Sequence, residues 1–99
     1  MKRRHNRIPN RLRRFRRIAG LTQTEVAKKL GMVGTDRISL WEKGIAMPNS
    51  KNLLKLSLLY RVRPVELYID YLPILQNELG ILADTDSPNE YFNPFDEFT

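Results

Sequence analysis

The sequence predicts an all-α domain of five short helices, and three observations carry that expectation. Apolar residues recur three and four positions apart, and no segment alternates convincingly with a period of two. Glycines at 20, 31 and 44 cut the periodic runs into short pieces. The segment Leu21–Gly31, "LTQTEVAKKLG", contains a helix start of the S/T-x-x-E type. A chain of 99 residues with 41% hydrophobic content can build one modest core.

Residues 1–9, "MKRRHNRIP", are basic, nearly free of apolar side chains and closed by a proline, so they read as a flexible arm. Asn10 can cap a first helix running to about Ala19. Its inner face would be Leu12, Phe15, Ile18 and Ala19, with Arg13, Arg14 and Arg17 outward. Gly20 ends it. In the second helix Thr22 and Glu25 form the capping box, Leu21 and Val26 occupy the staple positions around it, and Val26, Ala27 and Leu30 face inward.

The third helix starts near Thr35 in "GTDRISLWEKG". Ile38 and Trp41 are three apart and share a face with Glu42, whereas Asp36, Ser39, Leu40 and Lys43 point the other way. A carboxylate on the Trp41 side of so short a helix is costly to bury unless a cation meets it. A fourth helix runs from Asn49 or Ser50 to about Tyr60, with Leu53, Leu56, Ser57 and Tyr60 as its core stripe. Pro64 suits the first turn of a fifth, which points Leu67 inward. Domain 10–70 is followed by an apolar extension, 71–83, with room for further helical turns interrupted at Pro73. An acidic, aromatic tail, 84–99, completes the chain and is expected to be mobile.

Charge is distributed unevenly. Residues 1–70 carry all 17 Lys and Arg against five acids, a balance of +12, while residues 71–99 carry six acids and no base. This favours a polyanionic partner for the first part. There is no cysteine, so disulfides and thiolate metal sites are excluded, and His5, the one histidine, lies in the arm. With no second histidine, no Gly-rich phosphate loop and no carboxylate pair placed for a cleft, neither an enzyme nor a metal or cofactor site is expected. No apolar run approaches the ~20 residues of a membrane span, and the basic start lacks a following apolar stretch. The expected location is cytoplasmic.

"RLRRFRRIAGLTQTEVAKKLG", "RISLWEKG", the proline that follows and "LLKLSLLYRVRPVEL" resemble the Cro/repressor-type helix-turn-helix domains, the family of lambda repressor, over roughly residues 10–69. The resemblance implies a five-helix bundle in which the second and third helices form the DNA-binding unit and the third enters the major groove. It further implies that Glu42 pairs with Arg16, that Lys43 and the backbone near Gly44 meet phosphates, and that Gln23 bonds a phosphate and braces the recognition helix. The turn "GMVGT" is one residue longer than the family's usual turn. Counting back from Ile38, the base-facing positions become Thr35, Asp36, Arg37 and Leu40. Leu40 can offer only an apolar contact such as a thymine methyl. Asp36 can accept from a cytosine amine or simply favour the helix N-terminus.

The expected function is sequence-specific binding of double-stranded DNA as a transcriptional regulator, a repressor. Gln23, Ser39, Lys43, Lys51, Arg3 and Arg4 are the expected backbone contacts, and a homodimer is the expected assembly. Two alternatives stand beside it: the DNA-binding antitoxin of a toxin–antitoxin pair, and an interaction scaffold that uses no DNA. Leu54 and Leu58 give the fourth helix a second apolar face, which residues 71–82 could cover within one chain or across a dimer. The tail places Tyr91, Phe92, Phe95 and Phe98 among its acids. That pattern suits docking on a partner protein, or folding back over the basic face.

Overall fold

A computed structural model describes residues 6–81. Lys2, Arg3 and Arg4 of the arm and the tail from Asp84 lie outside them. Among the described residues there are six α-helices and no strand: α1 Leu12–Ile18, α2 Gln23–Lys29, α3 Asp36–Glu42, α4 Ser50–Tyr60, α5 Pro64–Leu67 and α6 Leu72–Leu79, with a 3-10 turn at Ile69–Tyr71 between the last two. The all-α fold and the five-helix order expected from the sequence are present, and α6 occupies the apolar extension.

Each helix starts for a local reason. In α2 the Thr22 hydroxyl accepts from the Glu25 N–H at 3.1 Å, and the Thr22 N–H donates to the Glu25 carboxylate at 2.8 Å. Such a reciprocal cap stabilises a helix by about 1 kcal/mol. Asn49 caps α4 by accepting from the Asn52 N–H at 2.8 Å. Pro64 opens α5, where its missing N–H costs nothing. The C-terminus of α4 is less favourable. Arg61 takes a left-handed conformation, φ 60°, where a glycine would be unstrained.

Burial then fixes the bundle. α1 packs on α3 and α4, α2 on α3, and α4 on α5. Leu12, Val26, Ile38, Leu56 and Leu67 are fully enclosed, and Trp41 and Tyr60 are nearly so. Each large apolar side chain removed from water contributes about 1.5–3 kcal/mol, so these few residues supply most of what holds seven-residue helices in place.

Two expectations about faces change. Ile18 is 69% exposed and Ala19 is exposed as well, while Arg16 is buried in their stead. At 100° per residue Ile18 lies roughly 120° from Leu12 around α1, but Arg16 lies only about 40° away, on the packed side. Leu54 and Leu58 are 54% and 79% exposed, so residues 71–81 do not cover them within this chain.

Candidate nucleic-acid interface

The chemistry gathers around α3. Its inner side, Ile38 and Trp41, is packed into the core, and its outer side presents Asp36, Arg37, Leu40 and Lys43 to solvent. Thr35 sits at the N-cap with no side-chain cap bond, and Thr35 and Ser39 are half-buried at the edge of the outer face. Two of the four base-facing candidates thus carry charge, one is apolar, and one is a hydroxyl at the helix start. A surface of this kind can meet the donors, acceptors and methyl groups of base edges.

Glu42 anchors the other side of the same helix. Arg16 Nε donates to Glu42 Oε2 at 2.5 Å and Arg16 Nη2 to Glu42 Oε1 at 3.2 Å. Arg16 Nη1 donates to the Leu21 carbonyl at 2.8 Å, which joins the pair to the α1–α2 turn. Gln23 Nε2, from the first position of α2, adds a bond to Glu42 Oε1 at 3.0 Å. The pair is enclosed, with side-chain exposures of 10% for Arg16 and 5% for Glu42. Hydrogen bonding to Glu42 holds the guanidinium of Arg16 above its ordinary pKa. Nearby, burial raises the phenol of Tyr60, an effect the Glu42 carboxylate reinforces and Arg16 opposes. The three helices α1, α2 and α3 are therefore tied at one carboxylate, beside a shallow hollow that Arg13, Ser39 and Lys43 also line.

Exposed cations also stand on the other helices. Arg13, Arg14 and Arg17 stand on the exposed side of α1, Lys28 and Lys29 close α2, and Lys51 is exposed in the first turn of α4. Arg11 is committed elsewhere, donating to both carboxylate oxygens of Asp70 at 2.8 and 3.0 Å. That bond holds the Asp70 carboxyl below the usual carboxylate range. Among the described residues no cluster of potential metal ligands occurs.

The C-terminal end of α3 carries contacts that the sequence reading missed. The Lys43 carbonyl accepts from Arg7 Nη1 at 3.0 Å, and the Gly44 carbonyl accepts from the Ile8 N–H at 2.8 Å. Arg7 and Ile8, expected within the flexible arm, are thus bound to the bundle. Asn10 does accept from the Leu12 N–H at 3.0 Å, close to the capping role expected of it, but its amide also reaches α3. Val33, in the turn before α3, is fully exposed, and with Gly34, Asp36 and Arg37 it lines one hollow. The apolar periodicity that located the helices carries no information about a side chain in a turn.

Comparison with known proteins agrees with this geometry. A helix-turn-helix family model matches residues 12–67. The chain is 37% identical over 86 residues to the HTH-type transcriptional regulator ImmR of Bacillus subtilis (strain 168), an alignment covering 87% of this chain and 62% of that protein. The chain therefore spans less than two thirds of that relative's length. No solved structure matches the chain.

Proposed function

Because this chain belongs to the helix-turn-helix family, we propose that it is a sequence-specific regulator that binds double-stranded DNA and represses transcription by occupying its operator. The observation that carries this reading is the division of α3, with Ile38 and Trp41 in the core and Asp36, Arg37, Leu40 and Lys43 in solvent. The outer face of α3 enters the major groove, where Thr35, Asp36, Arg37 and Leu40 read base edges. Lys43, Ser39, Gln23 and Lys51 meet phosphates, and Arg3 and Arg4 extend those contacts beside the domain. The likeness to a transcriptional regulator and the +12 balance of residues 1–70 support the same partner.

Two substitutions test which contacts read sequence. Arg37→Ala is expected to relax base preference at one position, at about 1–3 kcal/mol for a bidentate guanine contact. Lys43→Ala is expected to weaken binding evenly across sequences and to flatten the salt slope by about one unit. Binding-site selection followed by salt titration measures both. Uniform losses from both variants, with the selected sequence unchanged, would remove Arg37 from the reading face.

The regulator acts as a two-fold dimer on half-sites about one helical turn apart. In support, Leu54 and Leu58 on α4 and Leu79 on α6 remain exposed, and apolar surface of that kind needs cover. Sedimentation is expected to show dimers at roughly tens of micromolar, or on operator DNA at lower concentration. Monomers under both conditions would rule the dimer out.

A further inference from the structure

We propose that Asn10 is a positioning residue for base reading, one that aligns the C-terminal end of α3 so that its outer face enters the groove at a fixed angle. This rests on the DNA-binding reading given above. α3 is seven residues long and has no side-chain cap at its start. A helix leaves its last carbonyls without intrahelical partners, and a helix this short has few internal bonds to hold its direction. Here the N-terminal segment supplies partners for them, beside the Gly44 N–H that already donates to the Trp41 carbonyl at 3.0 Å. Asn10 Nδ2 lies 3.2 Å from the Trp41 carbonyl, 3.4 Å from that of Glu42 and 3.0 Å from that of Ile8, so its two hydrogens are shared among three acceptors. Arg7 takes the Lys43 carbonyl, and the Ile8 N–H takes that of Gly44. Four consecutive carbonyls at the end of the recognition helix are therefore bonded by residues 7–10.

The same Asn10 side chain fixes α1, through the bond from the Leu12 N–H to Oδ1 at 3.0 Å. One amide thus sets the position of the first helix against the end of the third. The Arg16–Glu42 pair joins the same two helices from the core side, but it holds a side chain of α3 rather than its backbone. Without Asn10, the last turn of α3 loses its direct backbone tie to α1 and is held by the packing of Ile38 and Trp41, the Arg16–Glu42 pair and the bonds from Arg7 and Ile8. With Asn10 present, both side chain and backbone are held. A misplacement of about 1 Å is enough to lose a bidentate base contact while leaving the flexible phosphate contacts of lysine intact.

The test uses the full chain and compares binding to its selected operator with binding to a mixed-sequence duplex. Asn10→Ser keeps an acceptor suited to the start of α1 but is too short to reach α3. It is expected to lower operator affinity about tenfold, to change mixed-duplex affinity less than twofold, and to leave the salt slope unchanged. Asn10→Asp is the second variant. It keeps the acceptor, adds a charge favourable to the start of α1, and faces the α3 carbonyls with an anion. Its added charge weakens both duplexes alike, so the operator-to-mixed ratio again isolates alignment, and a fall of about tenfold is expected. A thermal melt with each variant confirms that the protein compared is folded. An unchanged ratio in the folded variants, whatever their melting temperature, overturns the positioning role. A wild-type chain that selects no operator overturns the DNA reading and this role with it.

Discussion

Replacing Glu42 with alanine is expected to destabilise the domain by about 3–5 kcal/mol, because it leaves a buried guanidinium without its counter-charge. Glu42 accepts three hydrogen bonds, from Arg16 Nε, Arg16 Nη2 and Gln23 Nε2, and all three are lost with the carboxylate. Arg16, with a side chain 10% exposed, cannot turn to solvent without also giving up its bond to the Leu21 carbonyl. A loss of that size lowers the melting temperature by roughly 12–40 °C in a domain of this length. The double variant Arg16→Met, Glu42→Leu is expected to recover most of it, since a buried pair replaced by apolar groups of similar volume is often neutral or stabilising. Urea denaturation of both variants decides the matter. A single substitution costing less than about 1 kcal/mol would mean that Glu42 is effectively solvated, as exposed pairs are.

Gly44→Ala is expected to cost about 2–4 kcal/mol through two effects that add. Gly44 has φ 76°, which costs a residue with a side chain about 1–2 kcal/mol. A Cβ there would stand 2.4 Å from the Ile8 carbonyl oxygen and 2.9 Å from the Ile8 nitrogen, both backbone atoms that cannot rotate away. The N-terminal segment must move off, and the Ile8 N–H to Gly44 carbonyl bond goes with it. Gly31→Ala provides the control, because Gly31 has a similar φ of 75° with nothing near the position a Cβ would take. Melting curves should place Gly31→Ala at about 1–2 kcal/mol, the cost of the backbone angle alone. Equal losses at the two glycines would show that the contact with Ile8 yields without cost.

The helices could be read from the sequence because each is specified locally. Thr22 and Glu25 mark the start of α2, Asn49 and Pro64 mark α4 and α5, and the periodic apolar residues mark the faces that pack. That Asp36, Leu40 and Lys43 point outward followed from Ile38 and Trp41, since a helix with two fixed inner residues has its outer residues fixed as well, whereas the base-reading set came from the family resemblance. What could not be read depends on contacts distant in the chain. Ile18 looked like a core residue until the packing direction of α1 put Arg16 inside, and hydropathy alone gives no reason to bury an arginine. Asn10 reaches carbonyls more than thirty positions away, and no local pattern marks a backbone acceptor. Charge and the lack of apolar neighbours place Arg7 and Ile8 in the arm, whereas in the fold a glycine at another helix end makes room for them.

The two-sided construction of α3 bears on how such a regulator diversifies. The residues that hold the helix and the residues that face solvent are different positions of one short segment, and Ile38, Trp41 and Glu42 can stay while Asp36, Arg37 and Leu40 change. Exposed substitutions away from special features usually alter stability by no more than about 0.5 kcal/mol. On the proposed assignment of those outer residues to base reading, a duplicated gene can drift to a new operator through intermediates that all fold. Its two copies then stop competing for the same sites without either having passed through an unfolded ancestor.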